Sequence, residues 1–193
     1  MLEKAILSSV CTFKFCVKKE INMARLRVTT GDLTRSVSVQ AIVTLINSGG
    51  MWFGGVDRAI MRLAGNFYHD QMARLGLYNG QVVIARGNHS IRRATFDDVI
   101  FVVDDLKSPL SELVYNALTR ANSEGYTSVA LPLMRTGVMM GVVEPNLKTV
   151  VEEMHKGIDQ ALADGADKMD ITVVVYDNPK AVKMLSKFMK LVN

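Results

Sequence analysis

From Val39 to Ile46 the chain is apolar at nearly every position, and it breaks at once into polar and glycine-rich residues at Asn47. A run like this suits a strand covered on both faces, because a strand with one wet face alternates apolar with polar residues. Cover on both faces needs helices, and the sequence supplies them. Ile60, Leu63, Ala64, Phe67 and Met72 recur at helical spacing between Val56 and Leu75, with Gly65 as a break. Leu110 to Ser123 sits between Ser108-Pro109 and Gly125, Pro145 to Ala163 ends at Gly165, and Pro179 to Leu191 closes the chain as a helix. Strands are expected at Leu26 to Thr30, Val82 to Ala85, Val99 to Val103, Ser128 to Leu133 and Ile171 to Tyr176. An edge strand is expected at Thr12 to Val17, and a polar loop from Arg86 to Asp98. Strands alternating with helices of this length imply a largely parallel sheet with helices on both faces.

The 193 residues, 49% of them hydrophobic, suffice for one substantial core, so one domain is expected. The net charge of +4 suits an anionic ligand, yet the charges are scattered without a block of like sign. Nucleic acid is therefore not expected as the main partner. Cys11 and Cys16 are too few for a disulfide framework, and on one strand they face opposite sides. His69, His89 and His155 lie far apart and no Cys-x-x-Cys occurs, so no metal site is expected. The longest apolar runs are strand-sized, and Lys14, Lys18 and Lys19 interrupt the N-terminus. The expectation is a cytoplasmic protein without a cofactor. Met23 opens a segment that could begin the domain directly, which makes residues 1–22 an N-terminal strand extension and 23–193 the core, with Met1 and Met23 as alternative starts.

In parallel sheets ligands bind outside the carboxyl ends of the strands. Polar or glycine-rich punctuation falls at those ends four times: at Asp32, Asn47, Gly137 and Tyr176-Asp177. The stretch from Asn47 to Asp57 places an amide, a glycine-rich loop and a carboxylate between a strand end and a helix start. Paired glycines let backbone approach a ligand closely, and helix N-terminal N–H groups favour anions. That spacing argues for a phosphate-containing ligand handled by an amide and an acid.

Five pieces, in order and with natural spacing, resemble the macrodomain family, the ADP-ribose-binding α/β/α module. They are Gly31-Asp32-Leu33-Thr34, Gln40 to Asn47, Gly54-Gly55-Val56-Asp57, Pro132 to Val138, and Val175-Tyr176-Asp177, and they span roughly Arg25 to the C-terminus. The resemblance implies a three-layer α/β/α sandwich with a mixed, largely parallel central sheet. It implies that Asp32, with Leu33 beside it, binds the adenine amine and that Tyr176 packs by the adenine. Gly54, Gly55 and Val56 with Thr136, Gly137, Val138 and Met139 would clamp the diphosphate. Asn47 would contact the distal ribose, and Asp57 stands where members that remove mono-ADP-ribose carry an aspartate.

The chain also departs from the family. Thr44 stands where an asparagine is usual, Trp52 and Phe53 fill a loop that is normally small, and Met139 and Met140 replace an aromatic that covers the distal ribose. Phe53 is the candidate replacement for that ring. Arg135, beside the diphosphate loop, either pairs with phosphate or is solvated. The leading expectation is hydrolysis of ADP-ribosyl esters (ADP-ribosylated Asp or Glu, or O-acetyl-ADP-ribose), with Asn47 and Asp57 as catalytic residues. The rivals are a reader of ADP-ribose without turnover, a phosphatase of ADP-ribose 1″-phosphate, and an RNA binder. The last lacks interleaved basic and aromatic residues.

Overall fold

The computed structural model describes residues 25–50, 54–91 and 93–192. The expected strand at Thr12 to Val17, both cysteines and Phe53 lie outside those residues. Among the described residues seven strands form one sheet: β1 (Leu26–Thr30), β2 (Ala41–Ile46), β3 (Val82–Ala85), β4 (Asp98–Val103), β5 (Ser128–Pro132), β6 (Asp170–Val175) and β7 (Lys190–Leu191). Their spatial order is β3-β4-β2-β5-β6-β1-β7. β3 runs antiparallel to β4, and every other pairing is parallel. The sheet is therefore mixed and largely parallel, as the sequence implies.

Among the described residues four α-helices cover it: α1 (Gly55–Ala64), α2 (Leu110–Ser123), α3 (Leu147–Ala161) and α4 (Pro179–Leu185). The strands alternate between two apolar layers. Val43, Ile100, Val102, Val129, Leu131, Val173 and Val175 pack with α2, α3 and α4 on one face. Ile42, Ile46, Phe101, Val103, Ala130 and Val174 pack with Ile60 of α1, Tyr68 and Met72 on the other. Adjacent residues of a strand point to opposite faces, so an apolar run with no polar alternation feeds both layers at once. The result is a three-layer α/β/α sandwich.

Gly65 ends α1 as expected, with φ +58 and its N–H bonded to Met61 O. Beyond Gly65 the expected helical spacing yields only one short turn, His69–Gln71, α3 begins at Leu147 rather than Pro145, and two further boundaries differ from the sequence reading. The closing helix stops at Leu185 rather than Leu191, and Lys190–Leu191 instead pairs with the open side of β1. α3 gives way at Ala161 to a wide turn, Leu162–Ala166, in which Gly165 has φ +107. Among the described residues no helix is long and apolar enough to cross a membrane.

Candidate functional site

β1, β2, β5 and β6 are parallel, and the loops at their carboxyl ends meet around one cleft of about 630 Å³, the loop after β2 through Gly54. Its wall is supplied by Gly31 to Leu33, by Thr44 and Leu45, by α1 from its start to Arg62, by Pro132 to Gly137, and by Val174 to Asn178. Asp32, Leu33, Gly54, Gly55, Val56, Asp57, Thr136, Gly137, Met139 and Tyr176 all line it, so ten sequence-expected residues share one surface. A smaller hollow of about 460 Å³ on the far side of Asp177 and Asn178 holds none of them.

At the β1 end, Gly31 turns the chain with φ +136, and a side chain there would collide with Ser36. The turn is fixed by Asp32, whose Oδ1 accepts from Thr34 N–H at 2.9 Å and Thr34 Oγ1 at 2.8 Å. Both bonds use one oxygen, which leaves Oδ2 available to a ligand donor. Leu33 is buried beside it. On the adjacent chain segment, where Val175 O accepts from Gly31 N–H, Tyr176 is 77% exposed, so the ring is not the core residue that a strand end could have made it.

In the middle of the cleft, Gly54 takes φ +113 immediately before α1, and among the described residues no side chain caps that helix. A Cβ added at Gly54, Gly55 or Gly137 would meet no described heavy atom within 4 Å. Uncapped N–H groups facing open space form a ready anion site. The opposing turn, Gly137–Met139, follows Thr136, whose Oγ1 donates to Leu133 O at 3.1 Å. Val138 belongs to that turn through its backbone.

Asp57 lies in the first turn of α1 and is 2% exposed. Thr44 Oγ1, from the middle of β2, donates to its Oδ1 at 3.2 Å. Asn47 stands at the end of β2, half-buried, outside the side chains that line the cleft. Its carbonyl accepts from Gly50 N–H, and the next residue, Ser48, donates its N–H to Asp105 at 2.9 Å. That bond holds the Asp105 carboxyl below its ordinary pKa despite partial desolvation.

The sequence reading missed what supports the diphosphate-side loop. Arg135 is neither solvated nor open to phosphate: it is 4% exposed and locked between two carboxylates. Its Nε and Nη2 donate to Asp104 at 2.8 and 2.7 Å, its Nη1 to both oxygens of Glu144 at 2.8 and 3.0 Å, and its Nη2 to Ser108 O. Burial alone would lower its pKa, but the two carboxylates outweigh it and hold the guanidinium charged above its usual range. Glu144 also accepts from Leu110 N–H at the start of α2, and Asp104 N–H bonds Ile46 O at the end of β2. One arginine with φ +51 thus ties three chain segments together beneath the cleft. Asp104 was legible as one more carboxylate after an apolar strand; Glu144, in an irregular loop, carries no sequence signal of this role.

A family model described as Macro domain matches residues 43–150. The chain is 32% identical over 124 residues to an O-acetyl-ADP-ribose deacetylase of Escherichia fergusonii, covering 60% of this chain and 70% of that one. It is 26% identical over 175 residues to an uncharacterized protein of Fusobacterium nucleatum, covering 86% and 95%. Among solved structures it resembles a Trypanosoma brucei macrodomain in complex with ADP-ribose, with a TM-score of 0.69, 21% identity, and 83% and 67% of the two chains covered. It also resembles an Oceanobacillus iheyensis macrodomain with ADP, with a TM-score of 0.63, 21% identity, and coverage of 82% and 86%. This chain belongs to the macrodomain family.

Proposed function

We propose that the protein binds ADP-ribose in this cleft and hydrolyses ADP-ribosyl esters, either mono-ADP-ribosylated Asp or Glu or O-acetyl-ADP-ribose. Adenine lies against Leu33 and Tyr176 with its amine on Asp32 Oδ2. The diphosphate lies between the uncapped start of α1 and the Thr136–Gly137 turn, where backbone N–H groups take its charge without a bound cation. The distal ribose and its ester then fall toward Thr44, Asp57 and Met139. Family membership and the kinship to O-acetyl-ADP-ribose deacetylases support this reading.

The observation that carries the catalytic half is the cleft-lining carboxylate of Asp57, held by Thr44 at the start of α1. A carboxylate in that position orients a water, or removes its proton, for attack on the scissile ester carbon. The ester oxygen on the ribose then leaves with a proton, giving ADP-ribose and a free carboxylic acid. Asn47 contributes to the ribose side through the turn that Asp105 holds.

Asp57 is only 2% exposed, and this observation favours a second reading, a reader that binds ADP-ribose without turning it over. Calorimetric titration with ADP-ribose and with AMP tests the shared part: ADP-ribose should bind far more tightly, and equal affinities would refute it. Release of ADP-ribose from an ester-linked substrate separates enzyme from reader.

A further inference from the structure

Two arginines on the cleft wall have no place in the binding scheme above. α1 presents Gly55, Arg58, Ala59 and Arg62 to the cleft, the i, i+3, i+4, i+7 stripe of a single helix face. The cleft therefore runs along α1 for about 10 Å, at ~1.5 Å per residue, beyond the point where a diphosphate meets its first N–H groups. Arg58 and Arg62 are exposed, and neither has a hydrogen bond or ion pair with any described residue. Of the carboxylates lining the cleft, Asp57 is bonded by Thr44, Asp32 Oδ1 accepts from Thr34, Asp104 is paired with Arg135, and Asp177, after β6, forms no ion pair with either arginine. Two guanidiniums four residues apart on one face repel each other, and among the described residues no carboxylate is paired with either.

We propose that Arg58 and Arg62 form a subsite for a second phosphate, carried on the adenosine ribose of the ligand. The proposal rests on the ADP-ribose reading of the cleft. Leu33 shares a buried cluster with Val56, Ile60 and Leu63 of α1, so the Asp32 turn that would receive adenine packs beside this helix. A ribose bridging adenine at Asp32 and diphosphate at Gly54–Val56 lies along the same flank as the arginines. A phosphoryl group on its 2′-hydroxyl then falls between two planar donors suited to bidentate phosphate contacts. Phosphate near the 2′-hydroxyl arises from two sources: a phosphomonoester on that hydroxyl itself, or the diphosphate of a further ADP-ribose unit whose ribose is joined there, one sugar further out.

The test is calorimetric titration of the full chain with ADP-ribose, with ADP-ribose bearing a 2′-phosphate, and with a two-unit ADP-ribose oligomer. Wild type and Arg58→Ala/Arg62→Ala are compared at low and physiological salt. Wild type should bind at least one ligand bearing the second phosphate about tenfold more tightly than ADP-ribose at low salt, with the preference shrinking as salt rises. Which of the two is preferred identifies the source. In the double variant the ratio should fall to near one. Equal affinity of wild type for all three ligands overturns the subsite, as does a preference that survives in the double variant. If no ligand binds at all, the ADP-ribose reading falls and takes the subsite with it.

Discussion

Thr44 Oγ1 donates to Asp57 Oδ1 at 3.2 Å, joining the middle of a buried strand to the first turn of the helix that follows it. A buried carboxylate needs such donors, because desolvation without them costs several kcal/mol. Thr44, which stands where the family usually has an asparagine, thus supplies a hydrogen-bond donor beside the carboxylate.

Thr44→Val keeps the shape of the side chain and removes that donor. The variant should lose about 1–3 kcal/mol of stability in chemical denaturation, the cost of leaving a buried polar group short of a partner. Turnover should fall more than ADP-ribose affinity. A variant as stable and active as wild type would show that the bond holds nothing.

Asp32→Ala should weaken ADP-ribose binding by roughly 1.5–3 kcal/mol, the range for a hydrogen bond to a charged group. Calorimetry on the folded variant decides it. Unchanged affinity would leave Asp32 only its turn with Thr34.

Arg135→Met strands Asp104 and Glu144 as buried carboxylates facing each other. The loss of stability should be about 3–5 kcal/mol, as for breaking a buried ion pair from one side. Arg135→Lys should recover part of this, since an ammonium restores charge but not the bidentate bonds to both partners. Denaturation midpoints of the two variants measure the difference.

His69 lies edge-on to Phe101 at 4.7 Å, and burial lowers its pKa from 6.5 to about 4. Between these values the unfolded chain binds a proton that the folded chain does not. Stability should therefore fall as pH drops from about 6.5 to 4, by at most ~1.4 kcal/mol per unit from this group. His69→Phe should flatten that part of the stability profile; an unaltered slope would assign the acid sensitivity to other groups.

The fold was legible because continuous apolar runs and helical periods leave few architectures that bury both. Gly65, with φ +58, shows a break whose chemistry is local and readable. The end of α4 was not readable for the opposite reason. Leu185 and Met189 continue a helical spacing and are buried, yet the unpaired side of β1 captures Lys190–Leu191, and that competition is tertiary. In the site, residues set by loop chemistry (Asp32, Gly54, Gly137) were found from sequence, because turns and close approach restrict residue type. Arg135 was misread because its environment is made by Asp104 and Glu144, which are distant or irregularly placed in the chain. Asn47 was expected at the rim from its place after β2, and the described lining on that strand comes from Thr44 and Leu45.

On the proposed function, Asp57 is the group that turns an ADP-ribose site into a hydrolase. Single-turnover release of ADP-ribose from a peptide mono-ADP-ribosylated on glutamate, with wild type and Asp57→Asn, tests it most directly. The amide oxygen of asparagine can still accept from Thr44 but cannot take a proton from water. The account predicts measurable release by wild type and a fall of about 10²–10⁴-fold in the variant, with a far smaller change in ADP-ribose affinity. Wild type that binds ADP-ribose yet releases none from the ester, or a variant that releases it at the wild-type rate, would contradict the claim.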